Sequence, residues 1–301
     1  MGINTGVVGH KTQKKIVKID DIAVSNYLEA ISSSNPLGFY SRNKFAPPMF
    51  NVALEISHIA ELWSLEELHG SKEETERNVL MLVHGEQKMT FNRLLKLGEE
   101  ITTHSIIENV QEKGRNYIVT LKSIHEDSKS KETGTSTWTL FIRAEDSKLQ
   151  KAEQKQKAKP KPKMPEQTKP QDVVLSSNFH VPDGVTHKYA EASGDKNKIH
   201  VDPEYAKKAG LDGVIVHGLC TMAMTLEQIT DNHLSGFPGT IKEVSLRFSS
   251  PVWPGDNLVV QGWEGEEGGT SLMFEVHREG SDTKVIKSGK LKFENEQHIG
   301  F

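Results

Sequence analysis

The sequence predicts an α+β protein in which one unit is built twice, a sheet of antiparallel strands wrapped around one long helix in each half. Three observations predict it. A polar stretch divides the 301 residues near their middle. Each half offers one apolar-faced helical segment ahead of several alternating segments. Two Phe–Gly pairs, Phe91–Gly98 and Phe248–Gly255, stand at the same interval in corresponding places.

The first half, residues 1–146, has its helix candidate in "MFNVALEISHIAELW", where Phe50, Leu54, Ile56 and Ile59 supply the apolar face. "KMTFNRLLKLGEEI" then closes one alternating segment at Phe91 and opens another after Gly98. "NYIVTLKSIHED" and "TWTLFIRA" follow as further strands. Residues 147–172, "SKLQKAEQKQKAKPKPKMPEQTKPQD", hold Lys, Gln and Pro with hardly an apolar side chain. Such a run buries too little to offset its ordering entropy, and its Lys-Pro portion should be extended, so it reads as a linker. The second half, residues 173–301, has its helix in "GLCTMAMTLEQITDNHL", with Leu219, Met222, Ala223, Leu226 and Ile229 on one face. "SLRFSSPVWPGDNL" repeats the Phe–Gly junction. In "SLMFEVHRE", Phe274 and Val276 alternate with Glu275 and His277, as in a half-buried antiparallel strand, and "TKVIKSGKLKFE" supplies the last one.

Composition narrows the function classes. A formal charge of −4 and a pI near 6.4 point to no nucleic acid and no anionic membrane as partner. The one cysteine, Cys220, has no partner for an internal disulfide, which suits a reducing compartment. The first residues lack the apolar core of a secretory signal, and Gly6 stands where a myristoylation signal needs Ser or Thr. No run of about 18 apolar residues exists, and the final "HIGF" matches no common retention signal. A cytoplasmic protein is the expectation.

The chemistry concentrates in "YAEASGDKNKIHVD", residues 189–202, a polar stretch read as a loop, followed by "VIVHGLCTMAM". Together with "RFSSPVWPGD", these segments resemble the hydratase-2 motif of the MaoC-like hotdog superfamily, over residues 186–258. Lys198 departs from that pattern, which usually has Pro there. The first half resembles, more faintly, the N-terminal hotdog of two-hotdog dehydratases through "NPLGFYSRNKFAPPMF" and "LVHGEQKMTFNRLLKLGEE". The resemblance implies a double hotdog and the addition of water to a trans-2-enoyl thioester, giving the (R)-3-hydroxyacyl product.

The residues carry that chemistry on their own terms. Hydration next to a thioester needs a base for water, an acid for the α-carbon and a donor for the enolate-like oxygen. Asp195 and His200 supply two titratable groups and are the candidate catalytic pair. Asn197, Gly218, His217 and Ser193 are the candidate substrate-binding residues around them. Gly218 heads the apolar helix, where amides are unpaired and a side-chain-free residue would let a thioester oxygen approach. Each has a plainer reading. Asp195 suits a turn, His200 a satisfied core, Ser193 a loop hydrogen bond, and His217 a structural place before the helix. Tyr189 and Cys220 read as packing, and Asp202 with Pro203 as the cap and first residue of a helix over "PEYAKKAG".

The expected activity is that of a hydro-lyase, an enoyl-CoA hydratase or 3-hydroxyacyl dehydratase, with no cofactor. Asp195, His200 and Asp202 fit no zinc-ligand spacing, and the reaction needs no metal. A hotdog thioesterase and a non-catalytic acyl-CoA-binding module are the alternatives. The partners expected are an acyl thioester on CoA or acyl carrier protein, with a homodimer open to the chain. One site per chain is expected. Aligning Asn35 with Asn197 puts Ser33 opposite Asp195 and Gly38 opposite His200, and it sets Pro48 of "FAPPMF" against Gly218.

Overall fold

The computed structural model describes residues 3–32, 39–114, 116–142, 172–265 and 269–294. In the N-terminal half the elements are β1 (Lys15–Lys18), α1 (Asp21–Ala30), α2 (Phe39–Asn43), α3 (Asn51–Trp63), α4 (Glu66–His69) and α5 (Lys72–Met81). Four long strands follow: β2 (Leu82–Phe91), β3 (Glu100–Lys113), β4 (Asn116–Asp127) and β5 (Glu132–Ile142). The C-terminal half holds β6 (Val173–His180), α6 (Val185–Ser193), α7 (Pro203–Lys208) and α8 (Gly218–His233). It ends in β7 (Ile241–Phe248), β8 (Asn257–Glu264), β9 (Ser271–Arg278) and β10 (Lys284–Phe293).

All ten strands form one antiparallel sheet in the order β1-β3-β4-β5-β2-β7-β10-β9-β8-β6. Read inward from its two edges, the sheet repeats itself: β1, β3, β4, β5, β2 from one side and β6, β8, β9, β10, β7 from the other. The two halves join where β2 pairs with β7, from Glu86↔Arg247 to Thr90↔Glu243. Each half wraps its strands around one central helix, α3 or α8. This is the double hotdog that the sequence led us to expect.

The Phe–Gly repeat has a physical cause. Phe91 and Phe248 are the last residues of the equivalent strands β2 and β7. Gly98 and Gly255 turn the chain toward β3 and β8 with φ of +85° and +86°, a conformation that Gly adopts without a Cβ clash. The central helices are buried for the reasons their patterns suggested. Leu219, Met222, Ala223, Leu226 and Ile229 of α8 are all core residues, as are Leu54 and Ile59 of α3. Ile56 is only partly buried, and Glu55 and His58 take inward positions instead. Asp202 caps α7, accepting from the N–H groups of Glu204 and Tyr205, with Pro203 in first position as expected.

The linker segment lies outside the described residues except for Asp172, and so do Ser33, Asn35 and Gly38. The backbone agrees with the alignment of Pro48 with Gly218: Pro47, at ψ 153°, is the last extended residue before the helical path, as His217 is at ψ 134°. Pro48–Phe50 makes a 3₁₀ turn that runs on into α3, Phe50 already having helical φ and ψ. The N-terminal half therefore has a proline, which lacks an N–H, where α8 begins with the Gly218 amide. Among the described residues no helix is long and apolar enough to cross a membrane.

Candidate active site

The motif read as a polar loop is mostly ordered structure. Tyr189 to Ser193 form the last turn of α6, which Gly194 ends in the left-handed conformation at φ +81°. Lys198–His200 makes a 3₁₀ turn capped by Asn197, whose side-chain oxygen accepts from Ile199 N–H at 3.3 Å. His200 is buried, so the reading of a solvated loop fails there. The stretch lacks apolar side chains because its neighbours supply them: Ile56 of α3 lies 3.1 Å from where a Cβ on Gly194 would be.

The fold brings Asp195, His200 and His217 together. One potential ligand atom from each lies within 4.8 Å of the others. His200 Nδ1 donates to the Ile215 carbonyl at 2.7 Å, which leaves Nε2 of the neutral ring without a proton. His217 Nε2 donates to the Asp195 carbonyl at 3.0 Å, so its Nδ1 is the proton-free atom. That Nδ1 is buried and has no hydrogen-bond partner among the described residues. The two imidazoles stack, centroids 3.8 Å apart. Burial lowers the pKa of both, His217 strongly, with the other histidine adding to its depression; Asp195 partly opposes the shift at His200. Both rings are therefore neutral bases near pH 7.

Asp195 is half-buried and accepts from Asn197 N–H at 3.2 Å through one carboxylate oxygen. Its carboxylate and His200 Nε2 are then two proton acceptors within the cluster. The same donor set, one carboxylate and two imidazoles, could also hold a metal ion. Ser193 is drawn inward: its hydroxyl donates to Tyr189 O at 2.7 Å and accepts from Asp195 N–H at 3.2 Å. It fixes the backbone of the site, in line with its plainer reading.

Gly218 opens α8 immediately after His217, the cap residue, and its N–H is one of the amides that lack an intrahelical acceptor. Packing gives a second reason for glycine beside the expected one. A Cβ there would meet the Phe248 ring at 3.1, 3.2 and 3.3 Å. Phe248 packs edge-on against His84, centroids 5.0 Å apart, and His84 stacks on Trp138 at 4.7 Å. The N-terminal half thus backs the wall behind the helix start. Cys220 and Tyr189 are fully buried, as their packing roles require.

A second buried cluster escaped the sequence reading. Glu55 and His58 of α3 face His125 of β4, and all three are fully shielded from solvent. His125 Nε2 lies 3.5 Å from the Glu55 carboxylate, and His58 Nδ1 pairs with the Thr12 hydroxyl at 2.8 Å. The i,i+3 spacing of Glu55 and His58 was the available signal, masked by apolar neighbours on the same helix.

Comparison with known proteins agrees with this architecture. Residues 154–285 match the family model described as a MaoC like domain, and residues 6–130 match that of a FAS1-like, dehydratase domain region. A probable enoyl-CoA hydratase 2 from Dictyostelium discoideum is 25% identical over 211 residues, covering 70% of this chain and 69% of that one. Peroxisomal multifunctional enzyme type 2 from Mus musculus is 27% identical over 230 residues, 72% of this chain but 27% of the longer mouse protein. The crystal structure of a MaoC-like dehydratase from Phytophthora capsici superposes with a TM-score of 0.76 at 20% identity, covering 98% of this chain and 99% of the other. With the repeated hotdog and the clustered motif residues, these matches show a MaoC-like domain in the C-terminal half and a FAS1-like dehydratase region in the N-terminal half.

Proposed function

We propose that the chain is an (R)-specific 2-enoyl-CoA hydratase, equivalently a 3-hydroxyacyl-thioester dehydratase. The observation that supports it most is the pairing of two proton acceptors, the Asp195 carboxylate and His200 Nε2, beside the unpaired amide at the start of α8. A water between the acceptors would have both its protons engaged. As its oxygen bonds to the β-carbon, the pair takes one proton and returns one to the α-carbon, so that H and OH add across the double bond. The Gly218 N–H would hold the thioester oxygen, and the apolar surroundings of α8 strengthen that interaction. Asn197 has its oxygen committed to the turn, so its amide nitrogen is left to donate to water or substrate.

CoA is the proposed carrier, and acyl carrier protein the alternative. The division into an N-terminal half (1–146), a linker (147–172) and a catalytic half (173–301), a homodimeric assembly and a cytoplasmic location are likewise proposals. The mouse relative is named as peroxisomal.

Crotonyl-CoA with the purified protein tests the reading. Loss of enoyl absorbance is expected; release of free thiol would mean a thioesterase, and neither signal would mean a binding module. Asp195→Asn and His200→Gln should each lower kcat by about 10²- to 10⁴-fold without unfolding the protein. Near-wild-type hydration by either folded variant would remove that residue from the mechanism.

A further inference from the structure

We propose that Tyr27, contributed by the N-terminal half, is a positioning residue for the acid–base cluster of the C-terminal half. The inference rests on the hydratase reading above and adds to it a residue that lies outside the motif. The cluster is held by a closed circuit. Tyr189 O accepts from the Ser193 hydroxyl, Ser193 Oγ accepts from Asp195 N–H, and the Asp195 carbonyl accepts from His217 Nε2. The His217 ring then lies against the Tyr189 ring, centroids 5.0 Å apart, and stacks on His200. Tyr189 thus touches both limbs of the circuit, through its backbone toward Asp195 and through its ring toward His217.

What holds Tyr189 comes from the other half. Tyr27 of α1 is fully buried, its ring 5.6 Å from that of Tyr189 and 5.6 Å from that of Phe50. Its hydroxyl donates to Met49 O at 2.9 Å. Because that proton is spent, the Tyr189 hydroxyl, 3.4 Å away, is the donor of the next bond. The hydrogen bonds therefore run one way, from Tyr189 to Tyr27 to the turn that leads into α3. A half without the acid–base pair in this way anchors the residue on which the pair depends. Burial holds both phenols protonated, as a donor chain of this kind needs.

The matched control is Tyr40. It is also buried, also in the N-terminal half, and its hydroxyl donates across to Glu227 Oε1 at 3.0 Å. Glu227 sits nine residues beyond Gly218 on α8, roughly 13 Å along the helix at about 1.5 Å per residue. Tyr40→Phe should cost stability and leave the cluster in place. Tyr27→Phe should lower kcat for crotonyl-CoA about tenfold or more with KM within about twofold, since small displacements of catalytic groups are costly. Histidine NMR titration should show the pKa of His200 rising toward the ordinary range in Tyr27→Phe and staying at its wild-type value in Tyr40→Phe. If Tyr27→Phe does not fold, Tyr189→Phe breaks the same hydroxyl bond and should give the same losses. Equal effects of Tyr27→Phe and Tyr40→Phe on both kcat and the His200 titration would overturn the proposal, as would wild-type values in a folded Tyr189→Phe. Should the wild type fail to hydrate crotonyl-CoA, the hydratase reading falls, and the His200 titration still decides the role of Tyr27.

Discussion

Gly218→Ala separates two reasons for a glycine at the head of α8. The sequence suggests that the missing side chain makes room for substrate. The coordinates put the Phe248 ring where the new methyl would go, at 3.1 to 3.3 Å, a few tenths of an ångström inside ordinary contact. Phe248 has little room to retreat, because His84 packs against it and is itself stacked on Trp138. Overpacking of this kind costs about 1–3 kcal/mol. Alanine returns up to about 1 kcal/mol through helix propensity. With that full offset the net loss is about 0–2 kcal/mol, or a fall in Tm of up to roughly 8 °C for a chain of this size.

The Gly218 amide would move by no more than the overlap, so kcat should fall only by roughly three- to tenfold, well short of the 10²-fold expected for a full ångström. The assay is a double-mutant cycle with Phe248→Leu, reading Tm and crotonyl-CoA hydration for all four proteins. If the ring is the obstacle, the two changes couple by about 1 kcal/mol or more, and the double variant regains activity relative to Gly218→Ala. A Gly218→Ala protein with wild-type Tm, a hundredfold lower kcat and no recovery on Phe248→Leu would refute the packing argument. It would restore substrate access as the reason for glycine.

Other outcomes follow from the same coordinates. His58 and His84 are pushed down to a pKa of about 4, chiefly by burial, whereas an unfolded histidine titrates near 6.5. The unfolded chain thus takes up protons first, so the stability they contribute is complete above about pH 6.5 and is lost as pH falls toward 4, by up to about 1.4 kcal/mol per pH unit for each. Urea midpoints at pH 7, 6 and 5 should decline in step, and a constant midpoint would contradict their burial as neutral rings. Titration with a tight substrate analogue should give one site per chain, because Pro47 and Pro48, which have no N–H, stand where His217 and Gly218 stand in the other half; two sites would contradict this. Shortening the Lys-Pro run within 147–172 should leave kcat nearly unchanged while the span is bridged, and a large loss in a folded variant would assign that segment a part in the site.

What could be read in the sequence was what is local. The Phe–Gly junctions are legible because one strand end and one left-handed turn need those residues wherever the unit is repeated. The fourth strand segment was legible to its limits, "NYIVTLKSIHED" being β4 from Asn116 to Asp127, since alternation is a property of neighbours along the chain. Asp202 and Pro203 were legible for the same reason. Tyr27 was not, because its partner Tyr189 lies 162 positions away and neither residue carries a local mark of the contact. His217 was placed correctly before its helix, but its stacking on His200 depends on how a 3₁₀ turn and a helix start meet in space.

The N-terminal core makes the harder point. Helical periodicity assumes that charged side chains face out, and it put Ile56 inward; the fold buries Glu55 and His58 and leaves Ile56 at the surface of the core, against Gly194. Each half consequently holds a cluster of one carboxylate and two imidazoles: Glu55, His58 and His125 in one, Asp195, His200 and His217 in the other. Residue types alone do not separate them. Glu55 and its histidines are sealed between α3 and the sheet, where only a proton or a small internal ligand could meet them. Asp195 keeps partial exposure, and the backbone carbonyls of Ile215 and Asp195 take one N–H from each imidazole, so that a proton-free nitrogen of His200 is left beside a helix start. Reactivity here follows from which valences the fold has already used, and that is fixed by contacts between segments rather than by any one of them.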